Sequence, residues 1–361
     1  MKKKVLILTN SSGGLYNFRK ELISEMEKDC DVLASAPQDK WSDNLTDIGC
    51  EFIETPVDRR GINPIKDLAL LIRYIKLIKK TKPDMVLTYT IKPNLYGGFA
   101  ARLLKVPYAA NITGLGTAFQ TKGAIRKMFV AMYKIAMKKC KVIFFENTGN
   151  CQTFLDEKII DEKQTCVLNG AGVNLEHYSQ SPYAADGPMQ FLFIGRIMRE
   201  KGVNELFDAV KKLHHDGETC TLNLVGGYEE NYIDKIKSGE AEGWLKYHGP
   251  QEDVRPFYAA AHALVLPSYH EGMSNVLLEA GASGTPIITS NIHGCMEAVD
   301  DGVSGLLCEP KSTEMLYETL KKFSAIPYEE RKKMAAASHE YVSERFDKNK
   351  VVKKTVERLF E

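Results

Sequence analysis

ALVLPSYHEGMSNVLLEAGASGTPIITSNIHGCMEAVDDGVSGLL, residues 263–307, decides how this chain folds. The apolar run Ala263–Leu266 has the length and continuity of a strand covered on both faces, and it stops at Pro267-Ser268. Glu271-Gly272 follow in a loop, and a helical pattern opens near Ser274 or Asn275. Glu279 lies in the first turns of that helix, eight residues after Glu271. A second strand pattern, Pro286–Thr289, runs into another glycine-bearing loop and Glu297. Two carboxylates and several helix-start amides therefore gather beside the ends of parallel strands, where open α/β sheets bind ligands.

The same alternation extends in both directions. Upstream, strand patterns at Val5–Asn10, Asp31–Ala36, Cys50–Val57, Met85–Thr90, Tyr108–Thr113, Lys141–Glu146 and Thr165–Leu168 are separated by helical patterns such as Phe18–Lys28, Ile65–Lys80 and Leu95–Leu104. A second series follows at Phe191–Gly195, Thr221–Gly226, Leu245–Gly249, Ala263–Leu266, Pro286–Thr289 and Gly305–Glu309. Strands alternating with helices mean parallel sheets built from βαβ crossovers. A chain of 361 residues fits two such domains of about 170 residues each. The expected class is α/β, with two Rossmann-like domains facing each other across a cleft. The divisions are an N-terminal domain over 1–178, a C-terminal domain over 179–345, and a last helix over 346–361 that crosses back onto the first domain. Asn174–Pro188, polar and bearing Pro and Gly, reads as the linker.

Composition excludes several classes. Hydrophobic residues at 44% and charged residues at 26% belong to a globular protein, and no apolar run approaches the ~20 residues that span a bilayer. Eight cysteines are scattered without a CxxC pair or zinc spacing, so reduced thiols and no metal are expected. The net charge of +1 hides an asymmetry. Residues 1–184 hold 27 Lys+Arg against 19 Asp+Glu, and the remainder holds 21 against 28. From Arg59 to Lys141 there are 18 basic residues opposed only by Asp67 and Asp84.

The residues that carry chemistry follow from these positions. In GRIMREKG (195–202), Arg196 and Lys201 stand five apart across a strand-to-helix loop and point two cations at one place, which suits a diphosphate. Carboxylates at Glu271 and Glu279 accept hydrogen bonds from paired sugar hydroxyls, and the amides of Gly272, Met273, Ser274 and Asn275 surround the same point. Surface positions are the plain alternative, but Glu279 sits among Val276, Leu277, Leu278 and Ala280, where an unpaired carboxylate is costly. Together these groups describe a nucleotide-sugar site. Glu297 either caps free amides or meets the ligand. In the first half, Gly13-Gly14 allow positive φ and close backbone approach before a helix at Tyr16 or Asn17, or form a plain turn. Lys92, Asn94, Thr113 and Gly114 at strand ends meet an anionic acceptor, unless Asn94 merely caps the helix after Pro93. Asp29-Cys30-Asp31 has a metal-binding pattern but lies at a strand's entry, the wrong end, and reads as a turn. No histidine precedes His177, so a histidine base from the first domain is excluded.

TKGAIRKMFVAMYKIAMKKCK (121–141) carries seven basic residues and no acid, interleaved with Ile125, Met128, Phe129, Met132 and Ile135. A basic, Met- and Phe-rich amphipathic helix suits an anionic membrane surface. The alternative is a core helix with a basic outer side. Nucleic acid is not expected, because no aromatic stacking platform or binding motif accompanies the charge.

GRIMREKG, PSYHEGMSNVLLEA and GTPIITSNIHGCMEAVDDGVSGLL, in this order and spacing, resemble the large retaining glycosyltransferase family 4, which has the GT-B fold. NFRKEL, TIKPNLYG and NITGLG carry a likeness to bacterial transferases that add N-acetylhexosamine or hexose to undecaprenyl-diphosphate-linked saccharides in N-glycan, O-antigen and capsule assembly. The resemblance implies a UDP-sugar donor, a lipid-linked saccharide acceptor, no cofactor and no metal, and placement on the inner face of the cell membrane. It implies that Arg196 and Lys201 hold the diphosphate, Glu271 the donor sugar, Glu279 the ribose hydroxyls, and Gly14 a loop that closes over the phosphates. Two departures stand out: Met273-Ser274 replaces the usual Phe-Pro, and Ile91 occupies a position where many relatives carry His. The competing functions are a nucleotide-sugar epimerase of the same fold and a non-catalytic peripheral membrane protein.

Overall fold

The computed structural model of the chain describes residues 2–58, 63–116, 119 and 123–361. The chain divides into two compact units, Met1–Ala171 together with Lys348–Glu361, and Gly172–Asp347. Each is built on a single parallel sheet.

The first unit holds seven strands: β1 (Lys3–Leu8), β2 (Cys30–Ala36), β3 (Glu51–Glu54), β4 (Met85–Tyr89), β5 (Tyr108–Ile112), β6 (Val142–Phe145) and β7 (Thr165–Val167), in the order β3-β2-β1-β4-β5-β6-β7. Val5–Leu8 and Val142–Phe145 are almost wholly buried, as strands covered on both faces must be. One face packs on the helices Pro64–Thr81, Gly98–Leu104 and Ala124–Met137 through Tyr74, Ala101 and Tyr133. The other packs on Ser12–Glu27 and the last helix, Lys348–Phe360, through Leu22, Ile23, Val351 and Leu359. The final helix is tied there further by the buried Lys348, whose ammonium donates to the Phe18 carbonyl at 3.2 Å and pairs with Glu21 at 3.8 Å.

The second unit holds β8 (Met189–Ile194), β9 (Cys220–Val225), β10 (Leu245–Gly249), β11 (Ala263–Leu266), β12 (Ile287–Ser290) and β13 (Gly305–Cys308), in the order β10-β9-β8-β11-β12-β13. Both sheets thus reverse direction beside their first strand, next to β4 in one and next to β11 in the other. That reversal opens a crevice between the outgoing loops at the carboxyl ends. Gly226 shows how tightly those ends pack: with φ of +135°, a Cβ there would lie 1.9 Å from the Gly195 carbonyl oxygen.

Three local expectations are corrected. The first helix begins at Ser12, with Ser11 as its N-cap, and not at Tyr16 or Asn17; the Gly-Gly pair lies inside the first turn with helical φ. The helix expected over Leu95–Leu104 opens with a π-turn, Pro93–Gly97, before the α-helix Gly98–Leu104. A Cβ at Gly97 would lie 2.8 Å from Leu8 Cδ1, so this wide turn rests directly on β1. Residues 174–188 are not a free tether. Leu175 and Tyr178 pack on the second unit's core, and the Tyr183 hydroxyl donates to the His262 carbonyl at 3.1 Å. All eight cysteines are buried free thiols.

His262 is a buried, neutral part of that core. Its Nδ1 accepts from the Gln190 amide at 2.9 Å, which leaves Nε2 to donate to the Ala185 carbonyl at 3.0 Å. Protonation would place a second N–H against the Gln190 amide, and burial holds the His262 pKa below its ordinary value. Burial does the same for His248 and His270. The unfolded chain therefore binds protons that the folded one refuses, so stability is complete above the ordinary histidine pKa of about 6.5 and declines as pH falls below it. Urea unfolding at pH 8, 6.5 and 5 should show this decline, and His262→Asn, though less stable overall, should show a shallower one.

Candidate active site

The second unit assembles its candidate residues at the carboxyl ends of β8, β11 and β12. The loop after β8 turns at Gly202, whose φ of +70° and close approach admit no side chain: a Cβ would lie 2.1 Å from the Pro267 carbonyl oxygen. This contact presses the loop carrying Lys201 against the loop after β11. The Tyr269 amide donates to the Glu200 carbonyl at 2.9 Å and adds a second strap. The Lys201 ammonium consequently forms an ion pair with Glu271, both side chains being largely buried at 18% and 13% exposure. Ser268, at the end of β11, donates its hydroxyl to the same Glu271 oxygen at 2.8 Å.

Arg196 takes a different partner. Its guanidinium pairs with Glu229 at 3.0 Å and is half-exposed, so in this structure Arg196 and Lys201 are engaged with separate carboxylates. Pairing the cations to each other's site from sequence alone overlooked Glu229, which stands just beyond β9.

Glu279 lies in the helix Asn275–Ala282 behind Ser274 as N-cap. Its Oε2 accepts from the buried Tyr258 hydroxyl at 2.9 Å. The cost of placing a carboxylate among Leu277, Leu278 and Ala280 is thus met by phenol donors. One expectation for the preceding loop is corrected. The Ser274 amide is not open to a ligand, because it donates to the Gly294 carbonyl at 2.9 Å. Met273 turns its side chain into the hydrophobic core. Gly294 explains the packing: at φ of +89°, its Cβ position lies 2.6 Å from the Gly272 carbonyl oxygen. Asn275 keeps a buried Oδ1, and Ser290 a buried Oγ, without a hydrogen-bonding partner, as polar atoms reserved for a ligand would be. Glu297 behaves as a cap, accepting from the Gly294 amide at 2.7 Å and meeting His293 Nδ1 at 2.8 Å.

The first unit closes most of its candidates into its own fold. The Gly13 amide is directed at Asp39 Oδ2 at 3.3 Å and the Gly14 amide bonds Ser11 Oγ at 3.0 Å, so neither is bare. The want of a side chain at Gly13 makes room for Trp41, whose Cδ1 would lie 2.6 Å from a Cβ. Asn94, 1% exposed, neither caps a helix nor faces outward; it accepts from the Thr88 hydroxyl at 2.7 Å and donates to the Asn111 carbonyl at 2.9 Å, joining β4 to β5. Lys92 pairs with Asp67 at 2.8 Å in a largely buried contact. Thr113 and Gly114 follow β5 and are half-buried. The segment Asp29-Cys30-Asp31 stands at the entry of β2 as expected, with Asp29 closing the turn and Cys30-Asp31 already in the strand. Glu146, at the end of β6, is ion-paired with Arg19 inside the unit; burial pushes its pKa up, and the Arg19 guanidinium opposes that. Thr90 was not singled out from sequence. It is a β-branched residue held at φ of 71°, an outlier for its type, with a buried hydroxyl that has no partner. Ser268, Tyr258 and Tyr178 were missed as well, since nothing in their spacing sets them apart from core residues.

Residues 176–341 match the family model described as glycosyl transferases group 1, and residues 4–147 match the glycosyl transferase 4-like model. The chain is a glycosyltransferase. It is similar to the N,N'-diacetylbacillosaminyl-diphospho-undecaprenol alpha-1,3-N-acetylgalactosaminyltransferase of Campylobacter jejuni, at 27% identity over 88% of each chain. It is also similar to an Escherichia coli UDP-Gal:alpha-D-GlcNAc-diphosphoundecaprenol alpha-1,3-galactosyltransferase, at 29% identity over 69% of this chain and 68% of the relative. Among solved structures, a glycosyltransferase from Rickettsia africae superposes with a TM-score of 0.81 at 20% identity, covering 99% of this chain and 98% of the other. Anabaena HepE in complex with UDP-glucose superposes at 0.80 and 18% identity, covering 99% of both. The fold of this glycosyltransferase is therefore GT-B, with two Rossmann-like α/β domains.

Gly202 is the residue on which the Lys201–Glu271 contact most depends. Gly202→Ala should lower unfolding stability by at least ~2 kcal/mol in urea titrations, since a strained φ and a backbone clash act together. Gly217→Ala, at φ of +98° with open space around it, should lose only ~1 kcal/mol.

Proposed function

We propose that this glycosyltransferase moves a hexose or N-acetylhexosamine from a UDP-sugar to a saccharide carried on polyprenyl diphosphate, with retention at the anomeric carbon, in the synthesis of a bacterial surface glycan or N-glycan. The observation that carries the reading is the convergence of Lys201, Glu271 and Ser268 at the sheet end from which the helix Asn275–Ala282, bearing Glu279, departs. An ammonium has three donor hydrogens, so Lys201 can keep Glu271 and still turn a hydrogen to a phosphate oxygen. Arg196, half-exposed, exchanges Glu229 for the same diphosphate. Glu271 then meets donor-sugar hydroxyls and Glu279 the ribose. The Campylobacter jejuni and Escherichia coli relatives, transferases named for undecaprenol-diphosphate-linked sugars, support a lipid-linked acceptor, and the HepE complex supports a UDP-linked donor.

In this mechanism the bond between the anomeric carbon and the β-phosphate oxygen breaks while the acceptor oxygen bonds the same face of that carbon. The acceptor's hydroxyl proton passes to the departing phosphate oxygen. Negative charge grows on the diphosphate as the bond breaks, so Arg196 and Lys201 act more strongly on the transition state than on the bound donor. An inverting route would need a general base on the acceptor side. Of the two acids nearest the ligand-side strand ends of the first unit, Glu146 is 5% exposed and held by Arg19, whereas Glu54 is exposed at the end of β3; retention is what the family resemblance implies.

The acceptor's lipid calls for a membrane surface, placed here on the inner face of the cell membrane. No helix of the described residues is long and apolar enough to cross a bilayer. The helix Ala124–Met137 offers an interfacial alternative: Ile125, Met128 and Ile135 are exposed beside the exposed Lys127 and Lys134. Thr121 and Lys122 of the basic stretch lie outside the described residues. On the same face of the sheet, the helix Pro64–Thr81 exposes Ile65, Leu68 and Ile72 along one stripe, with Lys76, Lys79 and Lys80 near its end. Cations near an anionic surface each add on the order of 1 kcal/mol.

Lys201→Ala and Arg196→Ala should each lower turnover by at least ~10² in transfer from UDP-sugars to lipid extract; near-normal rates in both would remove them from the mechanism. Charge reversal at Lys134, Lys138 and Lys139 should abolish flotation with anionic liposomes and reduce transfer to the lipid-linked acceptor. These three are preferable to Lys141, whose ammonium donates to the Leu359 carbonyl at 3.0 Å.

A further inference from the structure

Glu279 is gripped by tyrosines to which the reading above gives no role. Tyr258 lies in the short helix Arg255–Ala260 and is 1% exposed. Its hydroxyl donates to Glu279 Oε2 at 2.9 Å and stands 3.4 Å from the Val276 carbonyl. A phenol has one proton, and the shorter contact to the charged acceptor takes the larger share of it. Tyr178 reaches the same carboxylate with its hydroxyl, and its ring packs edge-on against Tyr258 with centroids 6.2 Å apart. Both tyrosines are themselves fixed. Thr285 Oγ1 donates to the Tyr258 carbonyl at 3.1 Å, and the Tyr178 amide closes a turn onto the Asn174 carbonyl at 2.9 Å.

The chemistry of these partners differs from that at Glu271. Lysine neutralises Glu271, whereas a phenol donates one hydrogen bond and leaves the full carboxylate charge in place. Without such donors, a carboxylate beside Leu277, Leu278 and Ala280 would take up a proton or swing outward. We propose that Tyr258 and Tyr178 are positioning residues for nucleoside recognition: they hold Glu279 ionised and in one orientation, so that it accepts hydrogen bonds from the vicinal ribose hydroxyls of a nucleoside diphosphate. This rests on the assignment of Glu279 to the ribose. Burial, and then the neighbouring Glu279 charge, raise the Tyr258 pKa well above its ordinary value, so its hydroxyl remains a donor wherever the protein is folded.

The test is calorimetric titration of the full chain with UDP and with 2′,3′-dideoxy-UDP, for the parent, Tyr258→Phe, Tyr178→Phe and Glu279→Gln. Tyr258→Phe should weaken UDP about tenfold, the scale of one hydrogen bond to a charged group, and change dideoxy-UDP by less than about twofold. Removing a donor also raises the Glu279 carboxyl pKa, so on acidification UDP affinity should fall at a higher pH in Tyr258→Phe than in the parent. Equal weakening of both nucleotides, or an unmoved acid limb, would reduce the tyrosines to packing and overturn the proposal. If Glu279→Gln leaves the preference for UDP over dideoxy-UDP intact, the ribose assignment itself fails, whatever the tyrosine variants do. Should Tyr258→Phe be too unstable to titrate, Tyr178→Phe is judged by the same two criteria.

Discussion

The ion pair between Lys201 and Glu271 joins the loops that leave the two strands flanking the second sheet's reversal point. Such a pair contributes little to net stability when most of it is buried, because desolvation offsets the attraction. What holds it is backbone: the Gly202 turn against Pro267 and the strap from Tyr269 to Glu200. The fold therefore sustains a charged contact that an apolar pair would replace at no loss of stability. On the proposed function, such groups are already oriented before the diphosphate binds.

The two units treat their strand ends differently. In the second, polar side chains at the ends of β11 and β12 remain partly exposed or unpartnered, Asn275 and Ser290 among them. In the first, Asn94 is spent between β4 and β5 and Glu146 on Arg19, while the Thr90 hydroxyl just past β4 is buried without a partner. The first unit's distinctive surface lies instead on its helices. There, exposed Ile65, Leu68, Ile72, Leu103, Ile125, Met128 and Ile135 stand among lysines. An uneven charge along the chain thus becomes a division of labour between a polar sheet end and an amphipathic helical face.

Much of this was legible in the residues. Parallel strands declare themselves by continuous apolar runs, and the loops at their carboxyl ends by the glycines that follow; the placement of Lys201, Glu271 and Glu279 beside those ends followed from these two facts. What escaped has identifiable causes. Gly13-Gly14 read as a turn because glycine permits positive φ, yet Ser11 supplies a cap that lets both adopt helical values. Ser274 read as an open amide because no local pattern foretells Gly294 crossing from the next loop. Glu229 and Tyr258 are partners made by tertiary contact between elements 33 and 21 residues from the groups they hold. Lys92 and Asn94 looked like ligand residues by position, and only burial reveals that Asp67, Thr88 and Asn111 already use them.

The buried thiols give the molecule an internal clock. Every cysteine lies within the packed interior, and burial raises the pKa of each, so little thiolate is present to react with an alkylating reagent. Modification must wait for the surrounding element to open. Cys30, Cys50, Cys140, Cys151 and Cys166 belong to one unit and Cys220, Cys295 and Cys308 to the other. The order in which mass labels accumulate would therefore read out which half breathes first, and whether added UDP slows Cys295, which neighbours Glu271, ahead of the rest.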